Sequence, residues 1–283
     1  MKLAQALHEA TEALRAAGIE DARLEAEVLL RHTLHLDRAH LYARLQEDLS
    51  AEGQVSFHSL VARRLAHEPT AYIIGQREFY GLDLETTPAA LIPRPETELL
   101  VEEAIARAGR FERPLIVDVG TGNGAIAVAL AVHLSQASLA AIDLSREALA
   151  LAVRNAGRHG VENRISFLQA DLLAPLAQPA DIIVANLPYV SSGDWEALPP
   201  EIREHEPRAA LDGGSDGLHE IERLLGQAPS CLQPGGSLLV ELGPPQAAPA
   251  LALAHRCFPG AAARILPDAA GLDRLLAVDT PSS

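Results

Sequence analysis

Residues 115–125 constrain the fold more than any other stretch of the chain. Leu115-Ile116-Val117-Asp118-Val119 is a short apolar run that passes directly into Gly120-Thr121-Gly122-Asn123-Gly124. A run that short and that apolar suits a buried strand. Glycines at alternate positions allow a tight turn and let the backbone approach a ligand where a side chain would collide. A helical pattern follows over 125–134, and strand, glycine turn and helix in that order open a doubly wound α/β sheet. The later sequence keeps the alternation. Strands are expected at 139–142, 165–168, 181–185, 237–240 and 275–278, and helices at 146–158, 219–225 and 247–257.

The ends of these strands hold the candidates for chemistry. Asp143 closes the strand after the turn, about 23 residues beyond Gly120, where a carboxylate can accept both ribose hydroxyls of a nucleoside. Asp118, Gly120, Thr121, Gly122, Asn123, Gly124, Asp143 and Leu144 are the expected cofactor contacts. Asp171, with Leu172 beside it, ends a further strand, and its carboxylate is placed to accept the exocyclic amine of an adenine. S-adenosyl-L-methionine fits this set. A dinucleotide fits the glycines as well, because Gly120, Gly122 and Ala125 satisfy the looser G-x-G-x-x-G/A spacing.

The strand at 181–185 ends in Asn186-Leu187-Pro188-Tyr189. An amide, a rigid turn and an aromatic ring at the carboxyl end of a strand can hold a planar amide or amine. Together with the glycine turn, which Asn186 is expected to border, they point to group transfer onto nitrogen. Glu241, closing the strand at 237–240, is a weaker candidate for the same cleft. Arg94 precedes Pro95 at an expected helix start and is placed to meet substrate or an anion. Trp195 is expected either on a flexible lip above the amide site or simply packed within its loop.

Charge narrows the partners. Lys and Arg number 23 against 38 Asp and Glu, a formal net charge of −15, which disfavours a surface that tracks phosphates. A protein partner with a basic face is the more natural fit. No uninterrupted apolar run reaches the roughly 18 residues of a membrane span. The first residues carry Gln5, His8 and Glu9 where a secretory signal would be apolar, so the cytoplasm is expected. Cys231 and Cys257 lack zinc-knuckle or redox spacing, and the histidines form no close set, so no metal is expected.

Residues 1–72 read as helices, with Leu3, Leu7 and Leu14, then Leu24, Val28 and Leu29, then 55–65. Gly18, the Asp37-Arg38 turn and Gly53 are expected to divide them. The expected organisation is a helical substrate-recognition domain over 1–72, a hairpin and linker over 73–93 with strands around Ile73-Ile74 and 78–92, and a catalytic domain over 94–283.

Several separated segments together resemble a known family: Ile92-Pro93-Arg94-Pro95-Glu96-Thr97-Glu98, Asp118 through Ala127, Asp143 with Ala148-Leu149, Asn155-Ala156, 205–211, and Gly213-Gly214-Ser215-Asp216-Gly217-Leu218. They are similar to the release factor glutamine methyltransferases, and the resemblance extends over nearly the whole chain. It implies a Rossmann-like class I methyltransferase sheet, a small N-terminal helical domain and a connecting β-hairpin. It also implies methyl transfer from S-adenosyl-L-methionine to the side-chain nitrogen of the Gly-Gly-Gln glutamine, with S-adenosyl-L-homocysteine as product. Peptide chain release factors are the implied partners and a monomer the expected state. In that family the Asn side chain and the next residue's carbonyl hold the glutamine amide, which assigns catalysis to Asn186, Leu187, Pro188 and Tyr189, with Arg94 joining them in substrate binding.

One position departs from the family pattern. The usual tetrapeptide is Asn-Pro-Pro-Tyr, and Leu187 stands at its second place. The same tetrapeptide class occurs in nucleic-acid adenine methyltransferases, so the motif specifies an amide or amine nitrogen without choosing between them. Glutamine methylation of a ribosomal protein and adenine N6 methylation are the alternatives. A dehydrogenase would use the glycine turn and leave residues 186–189 without a role.

Overall fold

The computed structural model describes residues 1–174 and 176–282. It separates into two compact units, residues 1–76 with 199–205 and residues 77–198 with 206–283.

The first unit is helical. Helix α1 (Leu3–Ala16) buries Leu3, Ala6, Leu7, Ala10 and Leu14, one face of a 3.6-residue repeat. In α2 (Ala22–Leu34) the buried face is Ala26, Leu29 and Leu30. Leu24, expected on that face, is half exposed, because spacing from Ala26 and Leu30 carries it to the opposite side. Asp37 caps α3 (Arg38–Ala43) by accepting the His40 N–H, and Ser50 caps α4 (Ala51–Leu65) by accepting the Gly53 N–H. Gly53 therefore lies inside the first turn of α4 and does not divide the helices. A Cβ there would come within 2.7 Å of Leu49 Cδ1. Ile73 and Ile74, expected in a strand, end the short α5 (Thr70–Ile74), which stops at Gly75 with φ +74°.

The second unit opens with a hairpin of β1 (Gln76–Phe79) and β2 (Leu82–Glu85), the first residue of β1 being the last of the helical unit. Its turn places Tyr80 and Gly81 at φ +52° and +75°, the twist that suits a two-residue connection. Residues 86–92, also expected as strand, are irregular. Then follow α6 (Glu98–Ala108), β3 (Leu115–Val119), α7 (Ala125–His133), β4 (Ser138–Asp143), α8 (Arg146–Arg158), β5 (Ile165–Gln169) and β6 (Ala180–Ala185). The chain next contributes α9 (Pro200–His205) to the helical unit, where Glu201 pairs with Arg64. It returns with α10 (His219–Gln227), β7 (Leu232–Glu241), α11 (Ala247–Cys257), β8 (Ala262–Pro267) and β9 (Asp273–Asp279).

Seven strands form one sheet in the order β5-β4-β3-β6-β7-β9-β8. The five from β5 to β7 are parallel, and β9 and β8 are antiparallel additions. Alternate residues face two apolar layers, as the pleat requires. Val117, Ile142, Ile183 and Leu238 pack with α10 and α11. Ile116, Ala141, Ile182 and Leu239 pack with α6 and α7. Every residue from Ala125 to Ala131 is buried, and the small side chains of α7 make that close approach possible. The sequence does not announce β8, an edge strand whose burial alternates only weakly.

The order reverses at β3: β4 and β5 lie to one side and β6 to the other. Ligands in open α/β sheets bind in the crevice at such a reversal.

Candidate active site

Strand register assembles the site. Val119 pairs with Ile142 on one side and with Ala185 on the other, so the next residues, Gly120, Asp143 and Asn186, leave the carboxyl edge side by side. Ala185 in turn pairs with Val240, which brings Glu241 alongside Asn186. A cavity of about 340 Å³ opens at this edge.

The glycine turn is held by its neighbours. Gly120 and Thr121 donate their N–H groups to the Ile142 carbonyl at 2.9 and 3.0 Å. Gly122 donates to Asp143 Oδ2 at 2.8 Å, and Ser145 donates to Asp143 Oδ1 at 2.8 Å. Asp143 is thereby fixed in orientation, and its remaining lone pairs are free for ligand hydroxyls. Gly120 has φ +74°, and a Cβ on it would stand 2.9 Å from Leu187 Cδ2. Leu187 is buried directly against the turn.

The cavity is lined by Arg94, Gly120, Thr121, Gly122, Asn123, Asp143, Leu144, Leu172, Asn186, Leu187 and Pro188 among the expected site residues. Asp118, Gly124, Asp171 and Tyr189 are not in its wall. Asp118 lies fully buried beneath the turn, where Oδ2 accepts from the Thr121 hydroxyl at 2.7 Å and the Ala127 N–H at 3.2 Å. It thus ties the turn to the first turn of α7, whose free N–H groups favour negative charge. Burial pushes its carboxyl up to about 7. Gly124, at φ +83°, faces α8, and a Cβ there would reach Ala152 Cβ at 2.9 Å. Asp171 is exposed and paired with Arg223. Leu172 reaches the cavity with φ +48°, a conformation uncommon for leucine.

On the other side, Asn186 Nδ2 donates to the buried Thr97 Oγ1 at 3.1 Å. This leaves the Asn186 side-chain carbonyl as the acceptor. The Tyr189 hydroxyl donates to Glu241 Oε1 at 3.4 Å. Burial, with the charge of Glu241 beside it, pushes the Tyr189 phenol up to about 12, so it stays a neutral donor. Tyr189 and Pro188 rest on glycines: a Cβ on Gly213 would come within 2.6 Å of the Pro188 carbonyl oxygen, and one on Gly217 would strike the Tyr189 carbonyl. The Val190 N–H to Leu211 carbonyl bond, 2.9 Å, and the Gly213 N–H to Val190 carbonyl bond, 2.8 Å, secure the same approach.

Arg94, expected to meet an anion, is already paired with the buried Glu206, which also accepts the Ile92 N–H at 3.2 Å. Of the two readings of Trp195 the packed one holds: it is buried, with the Arg208 guanidinium 4.8 Å from its ring centre. Thr97, Glu206, Gly213 and Gly217 were given no role by sequence reasoning. The sequence signal available for them was the segments 92–98, 205–211 and 213–218, which carried the family resemblance without saying what each residue does. Among the described residues no group of three or more His, Cys, Asp or Glu is arranged to hold a metal.

A sheet reversing at β3, a glycine turn at that reversal and an Asn-initiated tetrapeptide on the next strand define a class I methyltransferase. A solved methyltransferase from Pyrococcus furiosus shares the fold, with a TM-score of 0.52 at 18% identity over 78% of this chain and 97% of that one. A methyltransferase domain model matches residues 116–205, and a model described as the PrmC N-terminal domain matches residues 5–75. The chain is 46% identical over 265 residues to the release factor glutamine methyltransferase of Geobacter sulfurreducens, covering 92% of this chain and 90% of that protein. It is 44% identical over 275 residues to that of Moorella thermoacetica, covering 97% of each. The chain belongs to the release factor glutamine methyltransferase family.

Proposed function

We infer that this protein transfers a methyl group from S-adenosyl-L-methionine to the side-chain amide nitrogen of the Gly-Gly-Gln glutamine in peptide chain release factors. The observation that carries the amide reading is Asn186, held by Thr97 so that its carbonyl is the free end, beside the glycine turn.

The residues present fit the cofactor. Gly120 and Gly122 adopt positive φ in the cavity wall, Asp143 is oriented by two backbone donors, and the buried Asn123 Nδ2 has no partner among the described residues. That orphaned donor suits a polar group of the ligand. When bound, the cofactor supplies an activated methyl on sulfonium sulfur. The protein then has to align the acceptor nitrogen in line with the methyl and exclude water.

An amide nitrogen is a poor nucleophile because its lone pair is shared with the carbonyl. Asn186 Oδ1 and the Leu187 carbonyl accept the two amide hydrogens, which favours a lone pair directed at the methyl and stabilises the positive charge developing on nitrogen. Pro188 and Tyr189, seated on Gly213 and Gly217, hold the carbonyl-bearing backbone in place. No covalent enzyme intermediate is required, and the proton released after transfer passes to solvent. Leu187 differs from the family proline yet presents the same carbonyl.

The helical unit, residues 1–76 with 199–205, is assigned to release factor recognition. The net charge of −15 suits a partner with a basic face. No described helix is long and apolar enough to cross a membrane, and the proposed site of action is the cytoplasm, where a single copy of the chain works on one release factor. The test is transfer of labelled methyl to a purified release factor and to its Gly-Gly-Gln variant with glutamine changed to alanine. Label in the first and not in the second is expected. Label on a ribosomal protein or on adenine, with none on the release factor, would overturn the reading.

A further inference from the structure

We propose that Glu206 is a positioning residue: its buried carboxylate joins the two supports of the tetrapeptide 186–189 into one frame and so fixes where Asn186 holds the substrate amide. The proposal rests on the glutamine-methylating reading above.

The tetrapeptide is held at its two ends by segments far apart in sequence. At the first end Asn186 Nδ2 donates to Thr97 Oγ1 at 3.1 Å, and the Thr97 N–H donates to the Arg94 carbonyl at 3.1 Å. At the other end Val190, the residue after Tyr189, donates its N–H to the Leu211 carbonyl at 2.9 Å, and its own carbonyl accepts from Gly213 at 2.8 Å. Glu206 connects these supports. Its Oε2 accepts the Ile92 N–H at 3.2 Å, its Oε1 pairs with the Arg94 guanidinium, and the chain runs on from it to Leu211. The contacts therefore close a ring that passes from Asn186 through Thr97, Arg94, Glu206, Leu211 and Val190 and returns along the tetrapeptide.

Both arms of the ring line the cavity, the first through Ile92, Arg94 and Thr97 and the second through Pro207, Ala209 and Ala210. The first arm needs the joint. Residues 86–94 form no helix or strand, and Pro88 and Pro93 have no N–H to give. The second arm holds one short 3₁₀ turn, Arg208–Ala210.

The joint suits positioning better than stabilisation. The Glu206 side chain is 1% exposed and that of Arg94 30%. Removing such charges from water offsets much of what they gain from each other, whereas their charge-assisted bonds fix direction. The Arg94 charge is thereby neutralised within the frame, which explains why this cavity-lining arginine is not an anion receptor. In-line transfer depends steeply on where the acceptor stands, and an error of about 1 Å can lower the rate by roughly 10²-fold.

The test is steady-state methyl transfer to a purified release factor by the full chain, with urea unfolding and calorimetric affinity for S-adenosyl-L-homocysteine. The proteins compared are the unaltered chain, Arg94→Met, the double variant Arg94→Met with Glu206→Gln, and Glu206→Asp. Arg94→Met leaves a buried carboxylate without its cation and is expected to lower both the urea midpoint and kcat. In the double variant no buried charge is left alone, and the new side-chain carbonyl still accepts the Ile92 N–H. Its midpoint is expected to recover most of the loss while kcat stays down by roughly 10²-fold, with product affinity within a few-fold of the unaltered protein. Glu206→Asp keeps the charge but draws it back by one methylene, and it is expected to bind product normally and to lose kcat about tenfold. A merely structural pair would return rate together with stability. A double variant that regains kcat with its midpoint, or Glu206→Asp with unchanged kcat, overturns the proposal while leaving the activity intact. A raised KM for the release factor with kcat kept also overturns it, since Glu206 would then serve docking alone. If the double variant does not fold, Glu206→Asp decides. No transfer by the unaltered protein overturns the glutamine reading and this proposal together.

Discussion

The two units of this protein differ in the buried carboxyls they leave without a cation. In the helical unit Arg64, almost fully buried, is paired with Glu25 and with Glu201, and Glu27, 1% exposed, accepts from the Tyr42 hydroxyl at 2.9 Å and pairs with Arg38 at 2.9 Å. The carboxyls displaced there, Asp37 and Glu68, are both pulled down, by hydrogen bonds from His40 and from Arg63. The sheet unit also pairs acids, the buried Glu206 with Arg94 among them, but it keeps Asp118 and Glu241 buried with no cation bonded to either, and both are pushed up to about 7. Paired charges specify how helices and segments fit together, whereas a buried carboxyl without a cation is costly and marks a place where chemistry gives it a use.

Substitutions in the two units test this contrast. The largest effect is expected at the amide site: Asn186→Ala should lower kcat about 10²–10³-fold while leaving S-adenosyl-L-homocysteine affinity within a few-fold, measured by steady-state transfer and calorimetry. Loss of product affinity instead would mean that Asn186 mainly holds cofactor.

Next is the helical unit. Arg64→Ala strands Glu25 and Glu201, and because both are partly exposed the expected cost is about 2 kcal/mol, read by urea unfolding. A neutral result would show that the pairs contribute nothing to stability and remove one side of the contrast.

A smaller effect concerns the pH dependence of stability. Burial holds the Asp118 carboxyl up at about 7, against 3.8 for an exposed aspartate. Between those values the folded protein keeps a proton that the unfolded chain gives up, so stability falls as pH rises through the window and levels above about 7. Asp118→Asn is expected to make that fall shallower in a Tm series, with the Glu241 contribution remaining. An unchanged slope would mean that Asp118 is ionised in its buried site.

The smallest effect is expected at the departure from the family pattern. Leu187→Pro keeps the carbonyl but trims the side chain packed on Gly120, so transfer should stay within a few-fold and stability should drop by about 1 kcal/mol. A large loss of kcat would show that leucine is needed for the geometry.

Much of the fold was legible because it rests on short-range signals. Apolar runs of strand length, the glycines after Val119 and the helical spacing of 146–158 announce a doubly wound sheet, and the structure bears that class out. Where local and tertiary demands part, the sequence misleads. Ile73 and Ile74 have strand character but pack as a helix, and β8 is an edge strand with little apolar alternation. The candidate site was legible at strand ends, since a glycine turn and a tetrapeptide are contiguous. Its supports were not. Gly213 and Gly217 approach Pro188 and Tyr189 across more than twenty residues, Glu206 meets Arg94 across 112, and Thr97 meets Asn186 across 89. Only the folded register shows that Glu241 stands next to Asn186.

A structure of the protein with S-adenosyl-L-homocysteine and a Gly-Gly-Gln peptide from a release factor would show directly how the amide is held. The glutamine amide is expected at the carboxyl edge of β6, its two N–H groups donating to Asn186 Oδ1 and the Leu187 carbonyl, with Asn186 Nδ2 still on Thr97. A glutamine bound elsewhere, or an Asn186 amide turned with Nδ2 toward the substrate, would contradict it.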